Sequence, residues 1–355
     1  MRTANGQWQS NRRALFSSKT RVKSSLTRKQ DANNTQNSPS LMSYERSWAW
    51  QTWLLEQRLH SKRLQRESSS SDTGSAGTIQ SLPLSDQNTI LLLELDHVYT
   101  LGRGADENNL TFLSSSSQHE PNGVAELRHR LARTNRNADS ARVHIRDKHL
   151  VPRLLHRQHL TDAQAVQTIV DHTTKSSQHP PVTAPNGVPI FRVERGGQVT
   201  YHGPRQLVVY PLLDLQTTPT LQPDLHWFLH AMEQVIIQTL DELGIPGACR
   251  DPINTGVWVQ QRKVAAVGVA ASRWITTHGL ALNVAPELDY FDTSVILPCG
   301  IEGRGVTSIA ELIQEQHLLD SKACCIPTVS QVADIVLKQM QDVLQLEMEA
   351  PEPLE

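Results

Sequence analysis

No apolar run in this chain approaches the length that a helix needs to cross a bilayer, so no membrane partner is expected. An excess of basic charge is missing too. Lysine and arginine total 34 against 36 acidic residues, a formal charge of -2. With a pI near 6.7 there is no overall positive field for nucleic acid. Cysteine is sparse: Cys249, Cys299, Cys324 and Cys325 form no CxxC pair and show no zinc spacing with histidine, so no metal is expected. Free thiols in a reducing compartment follow, which leaves one of them available as a nucleophile. There is no P-loop, and Gly300, Gly303 and Gly305 have the wrong spacing for a dinucleotide fingerprint. No cofactor is expected. Apolar residues make up only 38% and the mean hydropathy is -0.40, so part of the 355 residues is expected to stay outside any packed core.

The first acid, Asp31, comes after Arg2, Arg12, Arg13, Lys19, Arg21, Lys23, Arg28 and Lys29, with serine and threonine between them. Arg-rich, Ser-rich and free of acid, residues 1–40 read as an unfolded organelle transit segment, mitochondrial first and plastid as the alternative. Residues 41–113 form the first part of a catalytic domain, with a helix over Ser43 to Arg58 and a Ser-rich spacer at 66–80. Thr89 to Leu93 is a buried strand, and Val98 to Leu101 is read as its hairpin partner. Residues 114–186 change character and read as a low-complexity, disordered insert, carrying at most a short helix over Ala163 to Asp171. Residues 187–345 are the main part of the domain and 346–355 a tail. Within the main part, Pro223-Asp224 starts an amphipathic helix that Gly244 ends. Three runs, Gly256 to Val259, Lys263 to Ala270 and Thr276 to Val284, suggest an antiparallel meander. Pro327 to Leu344 is a closing helix. Grouped strands with a few helices give an α+β class, a mostly antiparallel sheet covered by helices.

Arg195-Gly196-Gly197-Gln198-Val199-Thr200-Tyr201-His202-Gly203-Pro204 is a glycine loop followed by a polar cluster, and Leu207 to Tyr210 then has the content of a buried strand. That order suggests a pocket wall. His202 is read as shaping the pocket, with a hydrogen-bonded half-buried side chain as the alternative, and His278 as mainly structural. Cys299 lies between Pro298 and Gly300, where a bend presents its sulfur outward. Lys263 opens an apolar strand. An ammonium near a thiol favours the thiolate that attacks, and a partly desolvated lysine accepts a proton near neutral pH. Alone, a cysteine is more often a small buried hydrophobe and a lysine is usually a solvated strand end.

Six blocks resemble the lipoyl(octanoyl) transferase family, in the family's order. They are Val98 to Arg103, Arg195 to Pro211, Arg262 to Gly268, His278 to Val284, Pro298 to Gly300 and Gly303 to Ser308. The likeness covers roughly residues 43 to 113 and 187 to 343. It implies the fold of the biotin and lipoate protein ligases, within the class II aminoacyl-tRNA synthetase and biotin ligase superfamily. It implies transfer of octanoyl from acyl carrier protein to a lysine of lipoyl domains, those of 2-oxoacid dehydrogenase E2 subunits and the glycine cleavage H protein. Cys299 would be the acyl-thioester nucleophile, and Lys263 would lower its pKa and move protons. Substrate would be bound by Arg195, Gly196, Gly197, Gln198, Val199, Thr200, Tyr201 and His202, by Ala266, Val267 and Gly268, and by Gly279, Leu280 and Ala281. The rival readings are an ATP-dependent lipoate or biotin ligase of the same fold and a non-catalytic carrier-binding scaffold. Position 205 departs from the family pattern, with arginine where glycine is usual. If that glycine serves a positive φ, arginine costs on the order of 1–2 kcal/mol, and its cation either touches the acidic carrier or obstructs the entrance.

Overall fold

Leu91 and Leu93 pack into one core and Ile90 and Leu92 into another, the period-2 alternation of a strand buried on both faces. They belong to a computed structural model that describes residues 19–26, 41–70, 87–113, 150–157, 160–176, 182–297, 303–320 and 325–354. In chain order its elements are β1 (Arg21–Ser24), α1 (Tyr44–Ser70), β2 (Thr89–Leu93), β3 (Val98–Leu101), α2 (Leu150–Leu155), α3 (Asp162–Ser176), β4 (Val182–Thr183), β5 (Pro189–Arg192), β6 (Val199–His202) and β7 (Gln206–Leu212). Then come α4 (Leu225–Glu242), β8 (Cys249–Arg250), β9 (Val257–Val259), β10 (Arg262–Ser272), β11 (Ile275–Asn283), α5 (Ile309–Asp320), α6 (Val329–Leu344) and β12 (Glu352–Pro353). The class is α+β, as expected.

One sheet has the order β12-β1-β2-β7-β11-β10-β9-β8 and a smaller one the order β4-β5-β3-β6. The meander β9-β10-β11 is antiparallel, as its short turns require. On one face α4 and α6 bury Phe228, Met232, Val235, Ile236, Leu240, Val332, Val336 and Met340 against the large sheet. Each such side chain contributes about 1.5–3 kcal/mol on leaving water. Asp224 caps α4 by accepting from the amides of His226 and Trp227, and Thr328 caps α6 in a reciprocal box with Gln331. On the other face α1 lays Trp50, Trp53 and Leu54 against Leu91, Leu93, Val208 and Tyr210.

Five expectations are corrected by these elements. Residues 19–26 were assigned to the unfolded leader, yet β1 pairs in parallel with β2 and β12. Val22 is buried in the core there, while Arg21 reaches Glu352 and Lys23 lies over the ring of Trp50. The basic composition hid the alternation Arg-Val-Lys, because the long stems of Arg21 and Lys23 pack along apolar surface and both residues are buried. The tail 346–355 is likewise drawn into the sheet by β12. β2 and β3 do not form a hairpin, since the chain changes sheets between them. The helix expected to end at Arg58 continues to Ser70, into the span read as a Ser-rich spacer, with Lys62 paired to Asp214 at 2.6 Å.

The fifth concerns the insert. Its residues 114–149 lie outside the described residues, but α2, α3 and β4 fall within the span read as disordered. Ala165, Val166 and Ile169 are fully buried in the α1 core. Trp53 Nε1 and Gln57 Nε2 donate to Asp162 at 2.9 and 3.1 Å, tying the start of α3 to α1. Ile169→Ala should therefore cost about 2–5 kcal/mol, read as a lowered midpoint in urea unfolding.

Arg205 has φ +63, so the left-handed conformation that favours glycine is present. Its amide donates to Glu94 Oε1 at 2.6 Å, its carbonyl accepts from Ala285, and its side chain is exposed away from the cavity described below. Arg205→Gly is expected to stabilise the fold by about 0.5–1 kcal/mol, the relieved strain exceeding the extra chain entropy of glycine. A thermal melt of the pair checks this.

Candidate active site

The glycine loop joins the two sheets. Gly196 N donates to Val269 O of β10 at 3.1 Å, and Arg103 N donates to Arg195 O at 2.9 Å on the side of β3. Gly197 takes φ +87, a turn that a side chain would strain. Arg195 is buried and folds its guanidinium back into the loop. It donates to Gly196 O, to Gln198 O, and to the carbonyl and hydroxyl of Thr100, at 2.8–3.0 Å. This cation thus fixes the backbone that carries it.

Between the loop and strands β10 and β11 lies a cavity of about 290 Å³. It brings together Arg195, Gly196, Gly197, Gln198, Val199, Thr200 and His202 with Ala266, Val267, Gly268, Gly279, Leu280, Ala281 and Lys263. Gly268 and Gly279 face each other across the β10–β11 ladder, so no side chain rises from that part of the floor. A Cβ on Gly268 would come within 3.3 Å of Gly196 O. Tyr201 is the exception among the expected residues. Period-2 alternation along β6 turns its ring away from Thr200 and His202, where it stacks on Tyr290 at 4.9 Å and bonds His97 Nδ1 through its hydroxyl at 2.7 Å.

The cavity's imidazoles are neutral. Burial, and after it the Arg195 charge, pulls His202 down to about 4 although its bond to Gln206 opposes this. Gln206 spends its amide N–H groups on Tyr201 O and Asn283 Oδ1, so its Oε1 must accept from His202 Nδ1 at 2.8 Å. That fixes the Nδ1–H tautomer and leaves the Nε2 lone pair as an acceptor. His278, read as structural, also lines the cavity. It has φ +59 in mid-strand, held by its amide bond to Gln51 Oε1 at 2.7 Å, and burial pulls it down to about 3. Tyr44 and Tyr210 complete this wall, both with hydroxyls pushed up by burial.

Lys263 sits where a bulge interrupts the pairing of β10 with β9, a device that re-aims a side chain. It is buried. Nζ donates to Thr255 O at 3.0 Å and lies 4.8 Å from the centre of the Trp258 ring. Among the described residues no carboxylate pairs with it. Cys299, within 298–302, lies outside the described residues. The chain before it is anchored by Leu297 N donating to Asn109 O at 2.7 Å. The chain after it returns beside the lysine: Lys263 N donates to Gly305 O and Thr307 N to Lys263 O, both at 3.0 Å. Arg304 stacks on Trp258 at 4.2 Å and pairs with Asp251, whose carboxyl it holds well below the usual range.

Sequence reasoning missed Tyr44, Thr100, Tyr210, Leu225, Leu229 and Ile253 to Thr255, which also line the cavity. Ile253 left a signal, an isolated large apolar residue in a polar turn, and it is 87% exposed.

Residues 167–341 match the family model described as the lipoyl protein ligase A/B catalytic domain. An octanoyltransferase of Parasynechococcus marenigrum is 44% identical over 179 residues, which are 49% of this chain and 74% of that protein. An octanoyltransferase of Nostoc punctiforme is 54% identical over 124 residues, 35% of this chain and 51% of that one. Octanoyltransferase LIP2p2, chloroplastic, of Arabidopsis thaliana is 43% identical over 161 residues, 45% of this chain and 55% of that one. The chain thus spans about half the length of the last two relatives.

Proposed function

The chain belongs to the octanoyltransferase family of acyltransferases, and we propose that it moves octanoyl from acyl carrier protein to a lysine of lipoyl domains through a thioester on Cys299. What supports this most is the convergence of three separate chain segments, with Lys263, on one cavity. The apolar stretch from Ala266 to Val269 with Leu280 and Ala281 suits an aliphatic chain, and the neutral imidazoles add no charge to repel it.

In the first half-reaction the Cys299 thiolate attacks the thioester carbonyl, the carbon–sulfur bond to the carrier breaks, and the carrier thiolate leaves and takes a proton. In the second, a lysine amine attacks the acyl-Cys299 carbonyl, loses a proton and forms the amide while the Cys299 sulfur is released. Lys263 is the group we assign to hold and move these protons. Exchange between thioesters is near-balanced and amide formation runs downhill, so no nucleotide is consumed. Arg195 orients the loop by its hydrogen bonds and need not touch substrate. Acceptors are the lipoyl domains of 2-oxoacid dehydrogenases and the glycine cleavage H protein.

Intact-protein mass spectrometry tests the reading. Incubation with octanoyl carrier and no ATP should add one octanoyl group to Cys299. Octanoylation of an added lipoyl domain that requires free octanoate and ATP, with no mass gained on Cys299, would indicate the ligase reading instead. For location we propose the plastid over the mitochondrion, on relatives from cyanobacteria and one named chloroplastic.

A further inference from the structure

A second cavity, of about 520 Å³, opens beside the first, between the exposed side of α4 and the turn at 250–255. Leu229, Ile253 and Thr255 line both, so the two spaces adjoin along these residues. The carboxylates of this groove are already engaged. Glu233 pairs with Arg250 at 3.3 Å and accepts from Gly256 N at 2.8 Å, while Asp251 pairs with Arg304 and accepts from Asn254. His226 and His230 differ. They stand one helical turn apart on the exposed face of α4, and among the described residues their rings have no hydrogen-bond partner.

We infer that this groove takes the linear, amide-bearing thiol tether, of the pantetheine class, through which the carrier presents its acyl group. The inference rests on the acyl-transfer reading above. A folded carrier cannot enter a cavity of 290 Å³, so an extended arm must connect the thioester inside to the protein outside. The groove continues from the acyl cavity and supplies what such an arm needs. Leu229 and Ile253 meet its methylene and methyl groups. The imidazoles of His226 and His230 offer a donor and an acceptor each to its amides. Because the groove's carboxylates are neutralised by Arg250 and Arg304, an anionic phosphate at the outer end of the arm meets no free negative charge.

Three octanoyl thioesters separate the parts: that of N-acetylcysteamine, which ends near the cavity mouth, that of pantetheine, and that of the carrier protein. The double variant His226→Glu/His230→Glu changes exposed positions on the helix, with His226→Ala/His230→Ala as the milder form, and melting curves verify the fold. The apparent KM for the pantetheine and carrier thioesters should rise about tenfold. For the N-acetylcysteamine thioester kcat/KM should stay within about twofold. Equal losses on all three thioesters, or no loss on any, would overturn the assignment. So would a rise confined to the KM of the lipoyl-domain acceptor, which would give the groove to the acceptor instead. Wild-type protein that transfers octanoyl from none of the three would remove the acyl-transfer reading itself, a failure distinct from that of the groove.

Discussion

Cys299→Ser should lower octanoyl transfer by on the order of 10³-fold or more while the protein keeps its melting temperature. At neutral pH a thiol near a cation supplies a substantial thiolate fraction, whereas a serine hydroxyl in the same place supplies almost none. An acyl group that does reach serine is held as an oxygen ester, which an amine attacks more slowly than a thioester. The mass of the variant after incubation with octanoyl carrier should therefore be unchanged on the timescale of wild-type turnover. Transfer at the wild-type rate would remove the covalent route. The anchors on either side, Leu297 on Asn109 and Gly305 on Lys263, are backbone bonds that the substitution leaves alone. For that reason a fall in activity can be read as chemistry and not as unfolding.

The parts of the fold that were legible in the sequence are those where one pattern runs long. The stripe from Phe228 to Leu240 and its Asp224 cap define α4, and the runs from Gly256 to Val284 with short turns define the meander. The cavity was legible for a related reason. A glycine loop followed at once by a strand has few ways to pack, and every substrate-binding residue expected there except Tyr201 lines it, while Cys299 lies outside the described residues. Tyr201 was misplaced because a block of consecutive residues was read as one surface, whereas a strand sends neighbours to opposite faces.

What stayed hidden depends on distant partners. β1 is a strand only because β2 and β12 flank it, and nothing local in Arg21 to Ser24 announces that. The apolar spacing over Ala163 to Asp171 shows a helix within α3, but its fit under Trp53 and Gln57 becomes visible only when α1 is in place. Likewise the groove along His226 and His230 needs the Glu233–Arg250 pair to hold the turn against the helix. The sequence reads His278 as mainly structural. In the fold it lines the cavity while Gln51 holds its left-handed backbone, and its depressed pKa keeps it neutral, so it can accept or donate a hydrogen bond there without adding charge.

Lys263→Ala should reduce transfer by about 10²- to 10⁴-fold, the range for loss of a positioned acid or base. The arginine variant separates what the lysine does by charge from what it does by protons. Lys263 lies among Thr255 O, the Trp258 ring and the backbone of Gly305 to Thr307, and a guanidinium can donate to the same carbonyl and stack on the same indole. Lys263→Arg thus keeps a cation at the site yet cannot readily give up a proton. If the field alone matters, alkylation of Cys299 by iodoacetamide and acyl transfer should both survive in the arginine variant. If the side chain also takes the proton of the incoming amine, alkylation should survive while transfer to the lipoyl-domain lysine fails. We expect the second result, because an ammonium has no lone pair and the acceptor must be deprotonated before it attacks. The alanine variant should shift the pH midpoint of alkylation upward, since the role proposed for Lys263 has its cation favour the thiolate. His202 and His278 are neutral well below the range of such a titration, so neither contributes a competing step. Unchanged alkylation together with unchanged transfer in Lys263→Ala would take this residue out of the chemistry, and the buried ammonium would then be a structural tie between β10 and Thr255.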